Sequence, residues 1–292
     1  MKRVPLRHLG ETYLIMVQEF HLGGERHVRR ALLCMIDPRE YNIYPHEDTF
    51  PEGVAFYRNL ARAFPYQFAP IMLIGEDEDG ALRRVSLGDL IFEVEFYGVR
   101  SYLYTAEVRG RLPGDMVIAD GHHRFAAYGS EGEVFVAFMD VKDPALRILP
   151  THRGLRIGKS EMKRYLNRPD ITKRTLRSIE DGHFRRFPVI LKGGATRPIG
   201  LEFGITDGPL SNVPAYLSDN VLLAGRYDHI VGYERHGREA LKKLHSGEYD
   251  FVLLLRATTP IQVVEVAMAG MRMPRKSTDF FPKLIAGPVF VR

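Results

Sequence analysis

The order of apolar segments along the chain predicts a mixed α/β, α+β fold in two lobes. Three observations lead there. Runs rich in branched and aromatic residues recur through the whole sequence. Between them lie segments whose apolar residues repeat at helical spacing. And 292 residues, 45% of them hydrophobic, suffice for one large domain or two small ones.

The elements follow in order. "TYLIMVQEFHL" and "RRALLCMID" read as two strands joined through Gly23-Gly24, an early hairpin. "GVAFYRNLARAF" places Val54, Ala55, Phe56, Leu60, Ala61 and Phe64 at helical spacing. "FAPIMLIG" is a buried strand, and "VSLGDLIFEVEF" contains another. "DMVIAD" is a short strand leading into "HHRFAAY", a helix start, and "EVFVAFMDV" is a further strand. From "ILPTHRGLRI" onward a Pro- and Gly-rich stretch shows weak periodicity. The chain then closes with a helix "GREALKKL", a strand "YDFVLLLRA", a helix "PIQVVEVAMAGM" and a terminal strand "GPVFVR". The lobes expected are residues 1–148 and 149–292.

Composition excludes several classes. No apolar run approaches the roughly 18 residues of a membrane span, and the start has no apolar run of signal-peptide type. A single cysteine, Cys34, excludes an internal disulfide and a four-cysteine zinc site. A reducing cytoplasmic setting is therefore expected. The net charge is +5, but 41 basic residues are mixed with 36 acidic ones. The densest basic stretch, "MKRYLNRPDITKRTLR" from Met162 to Arg177, reads as a solvated face before it reads as a nucleic-acid site. A modest positive field also attracts phosphorylated metabolites.

Four polar clusters could carry chemistry. In "ADGHHRF", Asp120 ends a strand, Gly121 permits a sharp turn, and His122, His123 and Arg124 open a helix. Unpaired N–H groups of a first turn and an arginine fork suit an anion. Asp120 could cap the helix, bind Mg²⁺ or accept a proton; a plain cap with two surface histidines fits equally. "YPHEDTF" offers His46, Glu47, Asp48 and Thr49 as base, ligands or hydroxyl, or simply Asp48 or Thr49 as a helix cap. "LPTHRG" holds His152 and Arg153, or is a surface turn after a proline. "MPRKSTDFFPKL" places Lys276, Ser277 and Thr278 among prolines and aromatics. It has the composition of a phosphate loop without its glycines, or it is a proline-pinned loop packed on its aromatics. "KGGATRPIG" reads as a turn.

In combination the motifs are more specific. "HEDT", "ADGHHRF", "LPTHR" and "MPRKSTDFFPKL" occur in this order in domain-of-unknown-function family 1015, which the chain resembles over roughly residues 10 to 292. "FAPIMLI" and "LHSGEYDFVLLL" resemble it too. Longer members carry an additional N-terminal segment with a "PPYDV"-like motif, whereas this sequence starts almost at the hairpin. "DGHHRFAAY" is also similar to the Gly-x-His-Arg turn of the ParB/sulfiredoxin superfamily, which binds nucleotide phosphates there and includes free L-serine kinases. Sulfiredoxin has a cysteine where this chain has His122, which argues against sulfinic-acid reduction.

The resemblance implies a ParB/sulfiredoxin-like nucleotide-binding lobe plus a second α/β lobe. It implies phosphoryl transfer from ATP or ADP, with Mg²⁺, to a small hydroxylated metabolite such as L-serine. Gly121, His122, His123 and Arg124 would cradle phosphates, and Asp120 would bind the metal or orient the acceptor. Glu47 would be the general base supported by His46. Arg153 and Lys276 would neutralise charge, with Ser277 and Thr278 adding hydrogen bonds. Glu47, His123, Arg153 and Lys276 are expected to line one cleft. Two alternatives stand beside this: a nucleotide-binding regulator without turnover, consistent with the shorter N-terminus, and a metal-dependent hydrolase built on His46, Glu47, Asp120, His122 and His123. The absence of a helix-turn-helix after the turn argues against a DNA-binding role.

Overall fold

Strand β1 (Tyr13–Leu22) and strand β2 (Glu25–Ile36) pair antiparallel with Leu22 opposite Glu25. The two loop residues, Gly23 and Gly24, both have positive φ, as the tight hairpin turn matching strand twist requires. The computed structural model describes residues 13–64, 66–129, 132–176, 188–194, 197–204, 207–289 and 291. By packing, the chain divides into two units. The first contains the chain up to Pro45, Thr49–Leu146 and the segment from Pro282 onward; the second contains His46–Asp48 and Arg147–Phe281. The expected division at 148/149 places HEDT wholly in the first lobe and the closing motif wholly in the second. Packing instead gives three residues of HEDT to the second unit and Pro282, Lys283 and Leu284 to the first.

The first unit is built on one eight-stranded sheet. After the hairpin come β3 (Asn42–Pro45), helix α1 (Pro51–Ala63), β4 (Ile71–Gly75), β5 (Ser86–Phe96), β6 (Val99–Glu107), β7 (Asp115–Asp120), helix α2 (His122–Tyr128) and β8 (Val134–Asp140). The spatial order is β3-β7-β4-β8-β2-β1-β6-β5. Strands β3 and β7 run parallel, as do β4 and β8; the other pairs are antiparallel. All of β4 and nearly all of β8 are buried, which is why they read as unbroken apolar runs. Ile15, Leu32, Leu73, Ile118, Val136 and Phe138 form the core, with Val54 of α1 and Tyr128 of α2 packed into it.

The second unit carries β9 (Arg147–Ile148), β10 (His152–Leu155), α3 (Lys159–Leu166), β11 (Ile171–Thr175), β12 (Val189–Lys192) and β13 (Ile199–Phe203). A short helix α4 (Pro214–Tyr216) continues into a π-helical turn, Leu217–Leu222. Then follow β14 (Ile230–Glu234), α5 (Gly237–His245), β15 (Phe251–Leu254), α6 (Pro260–Met268) and β16 (Phe280–Phe281). The sheet is antiparallel in the order β11-β13-β12-β15-β10-β14, and β9 pairs with β16 separately. Helix α6 starts with a capping box in which Thr259 and Gln262 satisfy each other's backbone N–H groups.

The basic stretch from Met162 folds as an amphipathic segment. Met162 and Tyr165 are buried, while Lys163 and Arg164 face solvent. Arg168 pairs with Asp170, Arg174 with Glu202, and Lys173 hydrogen-bonds Asn167; Arg177 lies outside the described residues. Of the expected terminal strand "GPVFVR", the described residues Gly287 to Val289 carry no strand and Val291 bridges to Gln67; Phe290 and Arg292 lie outside the described residues. Among the described residues no helix is long and apolar enough to cross a membrane.

Candidate functional site

In the first unit, β7 delivers Asp120 to a turn that only glycine fits well. Gly121 has φ +98, and a Cβ there would lie 2.8 Å from Nη2 of Arg124. The space lets the guanidinium fold back over the turn. Its Nη2 donates to Asp120 Oδ2 at 2.9 Å. The other carboxylate oxygen, Oδ1, accepts from Nζ of Lys283 at 3.2 Å. Asp120 therefore does not cap α2, which has no side-chain cap. It holds two cations, one on each oxygen.

Lys283 is fixed from beneath. Arg29 and Gln18, both almost fully buried, reach the closing segment: Arg29 Nη2 donates to Pro282 O at 2.6 Å, and Gln18 Nε2 donates to Lys283 O at 3.2 Å. Arg29 also bonds Gln18 Oε1, and Gln18 Nε2 reaches Ser101 Oγ at 3.2 Å. Burial pulls the Arg29 pKa down to about 9, against the opposing attraction of Asp143.

Of the two histidines, His122 is buried and His123 is half-buried. His123 accepts the Phe50 backbone N–H at its Nε2, at 3.0 Å, and its ring packs tilted against Phe50 at 5.4 Å. A Cβ on Gly53 would sit 2.3 Å from the His123 ring, so that glycine admits the imidazole against α1. This corrects the capping alternative for the HEDT motif. Neither Asp48 nor Thr49 caps α1; its N-cap is Phe50, without a side-chain cap.

In the second unit, the HED and KST segments are joined. His46 is fully buried; its Nε2 lies 3.1 Å from Thr278 Oγ1 and its carbonyl accepts the Met273 N–H at 2.8 Å. Glu47 Oε1 stands 3.9 Å from the same His46 nitrogen, with part of its side chain exposed. Asp48 faces Arg272 at 3.6 Å and is mostly in solvent.

Arg153 was expected as a phosphate contact or a surface turn, and the structure gives it a different place. It lies fully buried on β10. Nε and Nη2 form a two-pronged pair with Asp219 at 3.1 and 2.9 Å. The remaining donors reach the carbonyls of Thr151, Lys276 and Arg275 at 2.6, 3.2 and 3.3 Å. Tyr233 packs on the guanidinium at 5.1 Å. Five N–H donors thus have five acceptors, so Arg153 organises the loop before Ser277 in place of meeting a ligand. Lys276, exposed, has φ +58, a left-handed conformation uncommon outside glycine, with its carbonyl held by Arg153. Ser277 is likewise spent internally: its Oγ donates to Pro274 O at 2.5 Å and its carbonyl accepts from Thr258.

His152 is buried beside Arg153, and its Nδ1 accepts the Leu255 N–H at 3.1 Å. Burial first, then the neighbouring charge of Arg153, lower its pKa to about 4. It is a structural acceptor.

Of the expected residues, Asp120, Gly121, His122, His123 and Arg124 belong to the first unit. His46, Glu47, Arg153, Lys276, Ser277 and Thr278 belong to the second. Sequence reasoning missed Lys283 and Asp219. Lys283 sits inside the quoted closing motif and was available as a basic residue between a proline and Leu284; Asp219 has no local signal. Among the described residues no three His, Cys, Asp or Glu side chains come together as a metal-binding group. Within the first unit, Asp120, His122 and His123 form no such group, and Asp120 has a cation on each oxygen.

Comparison with known proteins adds a fold likeness and a family. The structure matches a free serine kinase in complex with AMP, with TM-score 0.51, 13% identity, and coverage of 85% of this chain and 86% of that one. A mutant of a free serine kinase in complex with ADP matches with TM-score 0.51 and 12% identity, over 85% and 87% of the two chains. A conserved hypothetical protein from Pyrococcus furiosus matches with TM-score 0.50 and 13% identity, over 87% and 94%. At such identities the likeness is one of fold. A search of curated proteins finds no match. The model of a family described as "Protein of unknown function (DUF1015)" matches residues 6–193, and the chain belongs to that family.

Proposed function

We propose that this protein is a nucleotide-dependent small-molecule kinase whose first unit is a ParB/sulfiredoxin-like nucleotide-binding lobe. It moves the terminal phosphoryl group of ATP or ADP to the hydroxyl of a small metabolite, with free L-serine as the leading acceptor, in the cytoplasm. The observation that carries this reading is the glycine turn at Gly121, over which Arg124 folds beside Lys283 to concentrate positive charge. The fold likeness to free serine kinases bound to AMP and ADP supports it.

The roles follow from the side chains. Gly121, His122, His123 and Arg124 border the phosphates, and Asp120 holds Arg124 and Lys283. Glu47 takes the proton of the acceptor hydroxyl, with His46 fixed beside it by Thr278. The acceptor oxygen bonds to the terminal phosphorus as the bridging P–O bond breaks, and ADP or AMP leaves with that oxygen. Lys276 supplies charge, and Arg153 positions it. Among the described residues no three His, Cys, Asp or Glu side chains gather into a metal site. Mg²⁺ would arrive on the nucleotide, held mainly by phosphate oxygens and water, and would lower their charge.

A regulator that binds nucleotide without turnover is the second reading. It is favoured by the internal commitment of Arg153 and Ser277, which leaves fewer groups for a transition state. A ³¹P NMR assay with Mg²⁺-ATP or Mg²⁺-ADP and a panel of hydroxylated metabolites headed by L-serine separates the two. A new phosphomonoester signal, reduced about 10²–10⁴-fold by Glu47→Gln with nucleotide affinity intact, is expected for the kinase. Nucleotide binding with no product across the panel supports the regulator.

A further inference from the structure

The carboxylate of Asp120 lies between two cations, one four residues further along the chain and the other 163 residues away. Arg124 approaches Oδ2 at 2.9 Å and Lys283 approaches Oδ1 at 3.2 Å. The three side chains differ in exposure: 14% for Arg124, 43% for Asp120 and 49% for Lys283. The guanidinium is held in place while the carboxylate and the ammonium stand toward water. Within these three side chains, two positive charges face one negative charge.

Its construction is costly. Gly121 gives up a Cβ so that the guanidinium can lie over the turn. A buried arginine, Arg29, and a buried glutamine, Gln18, hold the main chain of Pro282 and Lys283. Desolvating an arginine is expensive unless its donors find acceptors. Here donors of Arg29 and Gln18 fix the backbone from which the Lys283 side chain departs. An ordinary surface ion pair, worth little to stability, would not need such support.

We propose that Lys283 is the second cation of a phosphate-binding seat, with Arg124 the first, and that Asp120 is the resident counter-ion with which the arriving anion competes. The inference rests on the kinase reading only in taking the anion to be a nucleotide phosphate; the seat itself recognises a phosphate or pyrophosphate dianion. Arg124 offers a planar fork and Lys283 a compact charge, the two complementary modes of phosphate contact. Gln18 and Arg29 are positioning residues for Lys283.

The test titrates the full chain with inorganic pyrophosphate by calorimetry, alongside AMP and ADP. Lys283→Met is expected to weaken pyrophosphate binding about ten- to a hundredfold. Lys283→Arg should restore most of it, and added salt should weaken the wild type. Asp120→Asn should tighten binding by about threefold or more, because a competing negative charge is gone. A purely structural Asp120 or one that ligates metal predicts the opposite sign. Thermal unfolding of each variant shows that the fold persists, and Lys283 is exposed enough to be replaced without disturbing the core. Wild-type affinity in Lys283→Met, weaker binding in Asp120→Asn, or no pyrophosphate binding by the wild type would each overturn the proposal. Lys283-dependent pyrophosphate binding without AMP or ADP binding upholds the seat and removes the kinase reading. Nucleotide binding indifferent to Lys283 does the reverse.

Discussion

Replacing Arg153 by methionine tests the claim that this residue builds the second unit. The substitution keeps an unbranched chain of similar reach but removes all five donors. Asp219, 1% exposed, then loses both prongs of its ion pair and keeps only the bond from Ser218 Oγ. Breaking a buried pair from one side costs about 3–5 kcal/mol, since the remaining charge stays desolvated. The carbonyls of Arg275 and Lys276 lose a donor as well, but both residues are exposed and water replaces it at smaller cost. With its carbonyl released, Lys276 can leave its left-handed conformation, so the loop should loosen. Native-state hydrogen exchange on peptides covering β10 and β15 measures the loss where it arises, without requiring the two units to unfold together. The double variant Arg153→Met/Asp219→Leu removes both charges and should recover most of the stability, as apolar replacements of buried pairs do. A loss below about 1 kcal/mol in Arg153→Met, or a double variant as damaged as the sum of its singles, would refute the coupling.

Three further outcomes follow from the geometry. Gly121→Ala places a Cβ 2.8 Å from Arg124 Nη2 at φ +98. It should cost about 1–2 kcal/mol and weaken AMP binding by calorimetry; unchanged affinity would remove the turn from the site. Gly154→Ala puts a Cβ 2.3 Å from the buried Tyr249 ring, whose hydroxyl donates to Glu234 at 2.6 Å. A loss of about 1–3 kcal/mol in thermal unfolding is expected, relieved when Tyr249 is also shortened to alanine. His152 titrates near 4 in the folded chain against an ordinary 6.5. Between those values the unfolded chain holds the proton and the folded chain does not, so stability falls as pH drops from about 7 toward 4, by up to about 3 kcal/mol. Urea midpoints across that range should flatten in His152→Asn, whose amide oxygen can still accept the Leu255 N–H; an identical pH slope would be the contrary result.

The local elements were legible because their signals are local. The Gly23-Gly24 hairpin, α1, the β7–Gly121–α2 turn, β8, α5, β15 and α6 each follow from apolar spacing or a glycine within a few residues. Strand β6 escaped the reading. Its turn from β5 is Tyr97-Gly98, both at positive φ, and a tyrosine does not announce such a turn as asparagine would. Strands β10 to β14 are short and lie in a stretch interrupted by prolines and glycines, so of the sheet of the second unit only β15 carries a clear local signal.

What the sequence determined by itself is the mixed α/β character, the motifs that carry the family resemblance and the conformation of the glycine turn at Gly121. These depend on residues that are neighbours along the chain. What only the tertiary structure decided is which polar groups meet. Arg153 and Asp219 are 66 residues apart, Asp120 and Lys283 are 163 apart, and His46 and Thr278 are 232 apart. No periodicity or turn preference records such a distance. An arginine after "PTH" looks the same in a string whether water or a buried carboxylate receives its charge. Burial makes that choice, because a desolvated charge requires a partner and a solvated one does not.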